Sequence, residues 1–335
     1  MLPLFIDWQP STEAFHLGSF SVRWYSLLWA IGIIGAYLVV RQLYNEQGID
    51  PAVDARGRKT STGRFDPLIF YCFIGIIVGA RLGHCLFYEP DYFLGSVKGV
   101  IEMLLPIKFA ADSWDWQVTG FMGLASHGGT VGLFLALLLY VHRYKIPFLV
   151  VLDNIGIAAP LTACCIRLGN LMNSEIIGRP CDLPWAFIFH TRDAVISPGD
   201  FTTYGFSFQP EYVEQLGGCL VPRHPSQLYE ALAYLVIFFA GVIIYKREHQ
   251  RNTLQQLRQR SSDDYAGTSK VGTGFYFGFC LATIFLFRFF VEYLKEVQGG
   301  VDDGSTTLDM GQMLSIPFVL TGLFFILFMP GKKKT

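Results

Sequence analysis

The sequence predicts an all-α, polytopic membrane helical bundle of about seven transmembrane helices. Three observations carry the prediction. The 335 residues are 52% apolar and only 16% charged, a balance outside the range of ordinary soluble domains. The apolar residues gather into long stretches of roughly 17–25, the length that suits a hydrocarbon core about 30 Å thick. The basic residues of the connections fall mostly on one side, as cytoplasmic loops require.

The stretches lie near 23–41, 66–88, 121–141, 149–168, 226–245, 271–293 and 310–329. The first follows a polar-aromatic segment, has no basic run before it and no small-x-small site after it, so it reads as a retained anchor rather than a cleaved leader. The second starts near Asp66 and carries Arg81. The third opens on His127-Gly128-Gly129-Thr130-Val131-Gly132, where Gly128 and Gly132 form a small-xxx-small pair, a device for close helix packing. The fourth ends on Ile166-Arg167-Leu168-Gly169-Asn170-Leu171-Met172-Asn173-Ser174-Glu175, an arginine, two amides and a carboxylate delivered at the end of an apolar run. Such groups are costly in hydrocarbon and mark a site by default. The fifth opens on Arg223-His224-Pro225-Ser226-Gln227-Leu228-Tyr229-Glu230, a helix start with more functional side chains than a cap needs. The sixth carries Arg288 and Glu292. Between the fourth and fifth, residues 169–225 are too polar to span and hold Pro180, Pro184, Pro198, Pro210 and Pro222, which predicts an external segment. The whole of 1–335 reads as a single integral membrane domain.

The connections 41–65, 142–148 and 246–270 and the tail hold sixteen basic residues, among them Arg41, Arg56, Arg58, Lys59, Arg64, Arg260 and Lys334. The opposite side holds six: Lys98, Lys108, Arg179, Arg192, Arg223 and Lys295. The richer side is expected in the cytoplasm, with the N-terminus outside and the C-terminus cytoplasmic. The stretch Arg247 to Lys270 reads as a solvated loop, and the lysines at 332–334 as an anchor for anionic lipid.

Arg23, Arg81, Arg167 and Arg288 remain in or at the edge of spans. At about 1.5 Å per residue, Arg81 lies some fifteen residues from the cytoplasmic end of its helix, in the outer half of the bilayer, and the same reckoning places Arg167 and Arg288 there. Arg23 and His127 join them at that depth. A lone arginine there snorkels to the headgroups as readily as it serves a site, but five polar groups at one depth favour a shared cavity. Guanidinium forks bind phosphate, so a lipid phosphate is one natural partner. Internal salt bridges are the other, since Glu292 follows Arg288 by four residues and Glu175 lies near Arg167. His127, beside two glycines, is either a packing residue or a base for a thiol or hydroxyl.

Five of the seven cysteines, Cys72, Cys85, Cys164, Cys165 and Cys280, lie in apolar spans, and the spacing gives no metal-binding pattern. Cys181 and Cys219 fall in the external segment, where an oxidising compartment would allow them to pair. No catalytic cysteine is expected.

Together these segments resemble the prolipoprotein diacylglyceryl transferase family over nearly the whole chain. The pieces are Arg23-Trp24-Tyr25, Gly79-Ala80-Arg81-Leu82-Gly83, Ser126-His127-Gly128-Gly129, Arg167-Leu168-Gly169-Asn170, Asn173-Ser174-Glu175, Gly178-Arg179, Arg223 to Glu230, Phe287 to Glu292, and Met310 to Ser315. The resemblance implies a catalytic domain that moves the diacylglyceryl unit of phosphatidylglycerol onto the lipobox cysteine of a prolipoprotein signal peptide, forming a thioether and releasing glycerol phosphate. It implies a bacterial cytoplasmic membrane, membrane lipid as surroundings, no metal or organic cofactor, and no nucleic acid partner. By position it singles out Tyr25, His127, Arg167, Asn170, Glu175, Gly178, Arg288 and Glu292. The chain departs from the family pattern at Ile166 and Ser174, where glycines are common, and at Ile284, where a tyrosine is often found.

The chemistry agrees. A thiol of pKa about 8.5 must become a thiolate, attack a saturated carbon and expel a phosphate monoester. Arg167 and Arg288 are the expected holders of the phosphate and stabilisers of the leaving group, and His127 is the candidate base. Tyr25, Arg81, Asn170, Glu175, Gly178 and Glu292 are the expected lipid-binding set, with the carboxylates setting the arginines. Thiolate stabilisation by an arginine is the alternative to a histidine base. A transporter or lipid-binding protein with an arginine anion site and no covalent chemistry is the rival function.

Overall fold

The computed structural model describes residues 5–18, 20–50, 63–110, 113–119, 123–197, 211–258, 268–296, 308–328 and 332–333. Expectations resting on Arg56, Arg58, Lys59, Pro198, Pro210, Arg260 and Lys334 lie outside the described residues.

The chain is mostly helical. The long helices are α1 (Trp24–Glu46), α2 (Asp66–Phe87), α5 (Ser126–Tyr144), α6 (Phe148–Met172), α7 (Ser226–Arg258), α8 (Phe275–Glu292) and α9 (Met310–Phe328), with the short α3 (Pro90–Leu94) and α4 (Val97–Leu104) after α2. All seven expected stretches are helices, and six of them, all but α5, are long and apolar enough to cross a membrane. Both ends of α5 are polar: Ser126-His127-Gly128-Gly129-Thr130 at its start and His142-Arg143 in its last turn. α7 corrects one expectation. The stretch from Lys246 to Arg258, expected as solvated loop, continues the helix, because it is rich in Arg, Gln, Glu and Leu and holds no Gly or Pro.

A second correction concerns the all-α expectation, since short strands fill the connections. They are β1 (Ile6–Trp8), β2 (Glu13–Leu17), β3 (Phe20–Arg23), β4 (Ile107–Phe109), β5 (Trp116–Val118), β6 (Phe187–Phe189), β7 (Val195–Ile196), β8 (Glu211–Val213), β9 (Gly218–Leu220), β10 (Pro222–Arg223), β11 (Thr268–Ser269) and β12 (Lys332–Lys333). Strands this short leave little period-two signal, and for β1 and β6 the pairing partner is also far away in sequence.

The chain divides into two compact units, one of residues 1–40 and 152–335 and one of residues 41–151. In the larger, β6 pairs in parallel with β1 and antiparallel with β10, while β9 sits between β7 and β8. Leu171, Ile177, Phe187, Phe189 and Ala194 form a buried core beneath these strands, with Trp8 and Leu228 packed against it. Trp8 Nε1 donates to Leu171 O at 2.9 Å and so ties β1 to the end of α6. Within the same unit Asp153, fully buried, accepts from the backbone N–H of Gly272, Gly274 and Phe277 at 2.8–3.0 Å. Those donors have no partner inside α8, so the carboxylate caps it. The described residues between α6 and α7 thus form a folded block.

In the smaller unit α2 and α5 lie backbone to backbone. A Cβ on Gly79 would fall 2.7 Å from Gly132 Cα, and one on Gly128 would fall 2.8 Å from Gly83 Cα. The glycine pairing read from the sequence is therefore a packing seam.

Candidate functional site

α6 ends where its apolar face gives way to the polar run, and Arg167, three residues before Asn170, points along the last turn. Its Nη1 donates to Asn170 Oδ1 at 3.4 Å, Asn170 Nδ2 donates to Glu175 Oε2 at 3.2 Å, and Asn173 Nδ2 donates to Glu175 Oε1 at 3.2 Å. The motif thus closes on itself: arginine, amide, carboxylate. Asn170 is buried while Glu175 is exposed, so the chain of contacts runs from inside the unit outward.

The backbone that returns Glu175 beneath Asn170 is strained. Ser174 and Ile176 have φ of 54° and 58°, the left-handed region that L residues avoid. α7 holds them there: Ser226 Oγ donates to Ile176 O at 2.7 Å and Gln227 Nε2 donates to Glu175 O at 2.5 Å, from side chains that are fully buried. Such over-determination is what allows strain to persist at a site. It also explains the departure at Ser174, since glycine meets that φ without a Cβ clash. Ser174→Gly is expected to raise the thermal unfolding midpoint, corresponding to about 1 kcal/mol of relieved strain, with the Asn170–Glu175 contact unchanged.

The arginine's carboxylate partner is not the one expected. Arg167 Nε lies 3.0 Å from Glu230 Oε2, and Glu230 is fully buried on α7. Glu230 Oε1 accepts from Lys295 Nζ at 3.1 Å and from Tyr234 OH at 3.3 Å. Lys295 Nζ also donates to Glu292 Oε2 at 3.1 Å. The four charges form one alternating row, Arg167, Glu230, Lys295, Glu292, drawn from α6, α7 and the end of α8. Each buried charge thereby has an opposite neighbour, the condition for keeping it ionised away from water. Arg288, one turn before Glu292 on α8, has no ion-pair partner among the described residues. The two salt bridges expected from spacing are thus replaced: Glu292 pairs with Lys295, and Glu175 reaches Arg167 only through Asn170.

Tyr25, at the start of α1, joins this cluster through Gly169. A Cβ on Gly169 would come 2.9 Å from Tyr25 Cδ2, so the glycine of the Arg-Leu-Gly-Asn run is the seat of the tyrosine ring. Gly178 is a backbone position. It bridges to Lys295, donates its N–H to His224 O at 3.0 Å, and a Cβ there would fall 2.8 Å from Leu294 O. It lets three segments pass close together and so fixes Lys295. Nearby Arg223, 1% exposed, donates from Nε to Ala194 O at 2.8 Å, from Nη1 to Gly178 O at 3.2 Å, and pairs with Glu296. It is a structural staple of the block. Burial lowers the His224 pKa from the ordinary imidazole value. Cys181 and Cys219 are free thiols, and burial pushes the Cys181 thiol up.

The larger unit therefore brings together Tyr25, Arg167, Asn170, Glu175, Gly178, Arg288 and Glu292. Glu230 and Lys295 are the members that sequence reasoning missed. Glu230 stood inside a conspicuous motif, but nothing local links it to Lys295, 65 residues on.

Arg81 and His127 belong to the smaller unit. Arg81 is buried, with Nη2 donating to Glu102 O at 2.6 Å, Nε to Met103 O at 3.3 Å, and its guanidinium 4.8 Å over the Phe93 ring. A cation on the last carbonyls of α4 satisfies the groups that a helix end leaves open. His127, exposed in the first turn of α5, lies at one end of an apolar groove of about 850 Å³ along the α2–α5 seam.

Comparison with known proteins places the chain in context. The family described as prolipoprotein diacylglyceryl transferase matches residues 12–328. The phosphatidylglycerol--prolipoprotein diacylglyceryl transferase of Bacteroides fragilis is 44% identical, over 100% of this chain and 98% of its own. Those of Porphyromonas gingivalis and Tolumonas auensis are 35% and 32% identical, each over 97% of this chain and 95% and 98% of their own.

Proposed function

This chain belongs to the prolipoprotein diacylglyceryl transferase family, and from that membership we propose its activity: it transfers the diacylglyceryl group of phosphatidylglycerol to prolipoprotein. The acceptor is the thiol of the lipobox cysteine in the signal peptide. A sulfur–carbon bond forms at the glycerol carbon that bears the phosphate, the carbon–oxygen bond to that phosphate breaks, and glycerol phosphate leaves with the electron pair. The thiol proton goes to a base.

The observation that supports the site assignment is the row Arg167–Glu230–Lys295–Glu292, with Arg288 one turn before Glu292 on α8. Arg167 and Arg288 hold the phosphate and stabilise the charge that grows on the leaving oxygen, the interaction expected to dominate such a step. Asn170, held by Glu175, fixes the Arg167 head, and Tyr25 binds the headgroup from the same cluster. Gly178 and Glu292 act through Lys295. His127 is the base for the thiol. Arg81 shapes the lipid site by holding α4, consistent with its donors resting on main-chain carbonyls.

We read residues 1–335 as a single integral membrane catalytic domain, a reading supported by the family match over residues 12–328. α5 is the seventh span, its polar start serving the chemistry. The basic residues orient the N-terminus outside and the C-terminus in the cytoplasm, with the site in the outer half of the bacterial cytoplasmic membrane.

The test is to incubate purified protein in liposomes with phosphatidylglycerol and a lipobox peptide, and to follow peptide mass and glycerol phosphate together. Equal gains of diacylglyceryl peptide and glycerol phosphate, both absent with a Cys→Ser peptide, are expected. Lipid binding without transfer would overturn the reading in favour of a binder or transporter.

A further inference from the structure

The segment that follows α2 is built inside out. α4 is amphipathic, but its polar face turns inward. Glu102, 4% exposed, accepts from Tyr92 OH and from the Phe109 N–H, both at 2.6 Å, and its carbonyl takes Arg81. Lys98 folds back to donate to Ser113 O at 2.9 Å and lies 5.4 Å over the Trp114 ring. The outward face of α4 is Val97, Val100 and Leu104, with Val97 69% and Leu104 62% exposed. The β4–β5 hairpin adds a second apolar face, opposite an exposed polar one. Its cross-strand pairs Phe109–Trp116 and Ile107–Val118 share one face, while Lys108–Gln117 takes the other. Trp116 and Val118 are 61% and 72% exposed.

Water is a poor solvent for such a surface. Leaving a large apolar side chain exposed forgoes the gain of removing it from water, and half a dozen together forgo an amount comparable with a domain's whole stability. The hydrocarbon core is excluded on the opposite ground. α3 and α4 have five and eight residues, too few to span, and the turns between them expose main-chain groups that hydrocarbon cannot satisfy. What suits both constraints is the boundary between headgroups and acyl chains, where tryptophan and tyrosine collect. The segment is also continuous with the membrane, because Tyr88 follows directly on α2.

We propose that residues 88–110 and 113–118 form an in-plane membrane element whose outward face, centred on Val97, Leu104, Trp116 and Val118, is seated in the headgroup–acyl boundary of the bilayer. Its occupant is lipid, not a protein partner. Arg81 makes the seat possible: by taking the carbonyls at the end of α4 it removes the polar groups that would otherwise hold that helix in water.

The experiment uses the full chain in phosphatidylcholine–phosphatidylglycerol vesicles and compares its tryptophan emission with that of the W114F/W116F variant. The difference between the two reports this segment alone. Bromine placed on the lipid chains near the headgroup is expected to quench that difference by about half or more, bromine near the chain ends less, and aqueous iodide hardly at all. Quenching by iodide instead would mean a water-exposed surface and would overturn the proposal. Insensitivity to all three would mean that protein covers the face, in a second copy or another chain, and would overturn it equally. A Val97→Asp, Leu104→Asp variant is expected to shift the difference emission toward iodide sensitivity while α2 stays inserted.

Discussion

Arg167→Ala is expected to lower kcat/KM for diacylglyceryl transfer by about 10³, the upper end of what a single oxyanion donor contributes. The reason lies in how Arg167 is held. Its Nε faces Glu230 at 3.0 Å and its Nη1 reaches Asn170 at 3.4 Å, so these contacts hold the guanidinium in one orientation. Arg167→Lys restores a charge near Glu230 but not the planar pair of donors, and is expected to recover less than about a tenth of the lost rate. Removing a buried pair's partner also costs stability, about 3 kcal/mol or more when the remaining charge stands alone. Here Lys295 still pairs with Glu230 at 3.1 Å, so the alanine variant is expected to fold. Measuring its unfolding midpoint beside kcat/KM separates the two effects: a large loss of rate with a small loss of stability supports the phosphate role, and parallel losses would point to a structural one. Glu230→Gln sharpens the test, since it keeps the shape of the side chain and one accepting oxygen while removing the charge that orients Arg167.

The sequence made the spans legible because each is a long apolar run bounded by charge or glycine, and all seven runs proved helical. It misjudged the end of α7, where a charged run reads as solvent but has high helix propensity. It also said little of the strands, because β1 and β6 pair across more than half of the chain. Among the candidate residues, those on one short stretch were easy to connect: Arg167, Asn170 and Glu175 meet as their spacing suggested. Glu292 was placed with Arg288 by the i, i+4 rule, yet it pairs with Lys295, three residues later. Spacing shows which residues share a face, not which of two cations is nearer. Glu230 and Lys295 escaped because buried ion pairs between distant segments have no local signature. Ser174 was recorded as a departure, and only its φ of 54° gives that departure a physical meaning.

The second large effect is expected at Gly79. Together with Gly75 and Gly83 on α2 it faces Gly128 and Gly132 on α5, and a Cβ at Gly79 would meet the carbonyl of Gly128 as well as Gly132 Cα at 2.7 Å. These neighbours are main chain, so no side-chain rotation relieves the clash and the two helices must separate. Gly79→Leu is therefore expected to destabilise the smaller unit by roughly 3 kcal/mol or more, the top of the range for overpacking. The loss runs against propensity, because leucine is the better helix former by about 1 kcal/mol. Gly241→Leu on α7 provides the control, since a Cβ there meets nothing within 4 Å, and it is expected to leave stability unchanged or slightly raised. In lipid the contrast is informative. Helices there gain little from hydrophobic burial, and close backbone approach is what holds them together. A Gly79→Leu protein with an unaltered unfolding midpoint would show that the α2–α5 seam contributes little, and that His127 owes its position to something other than the first turn of a tightly seated α5.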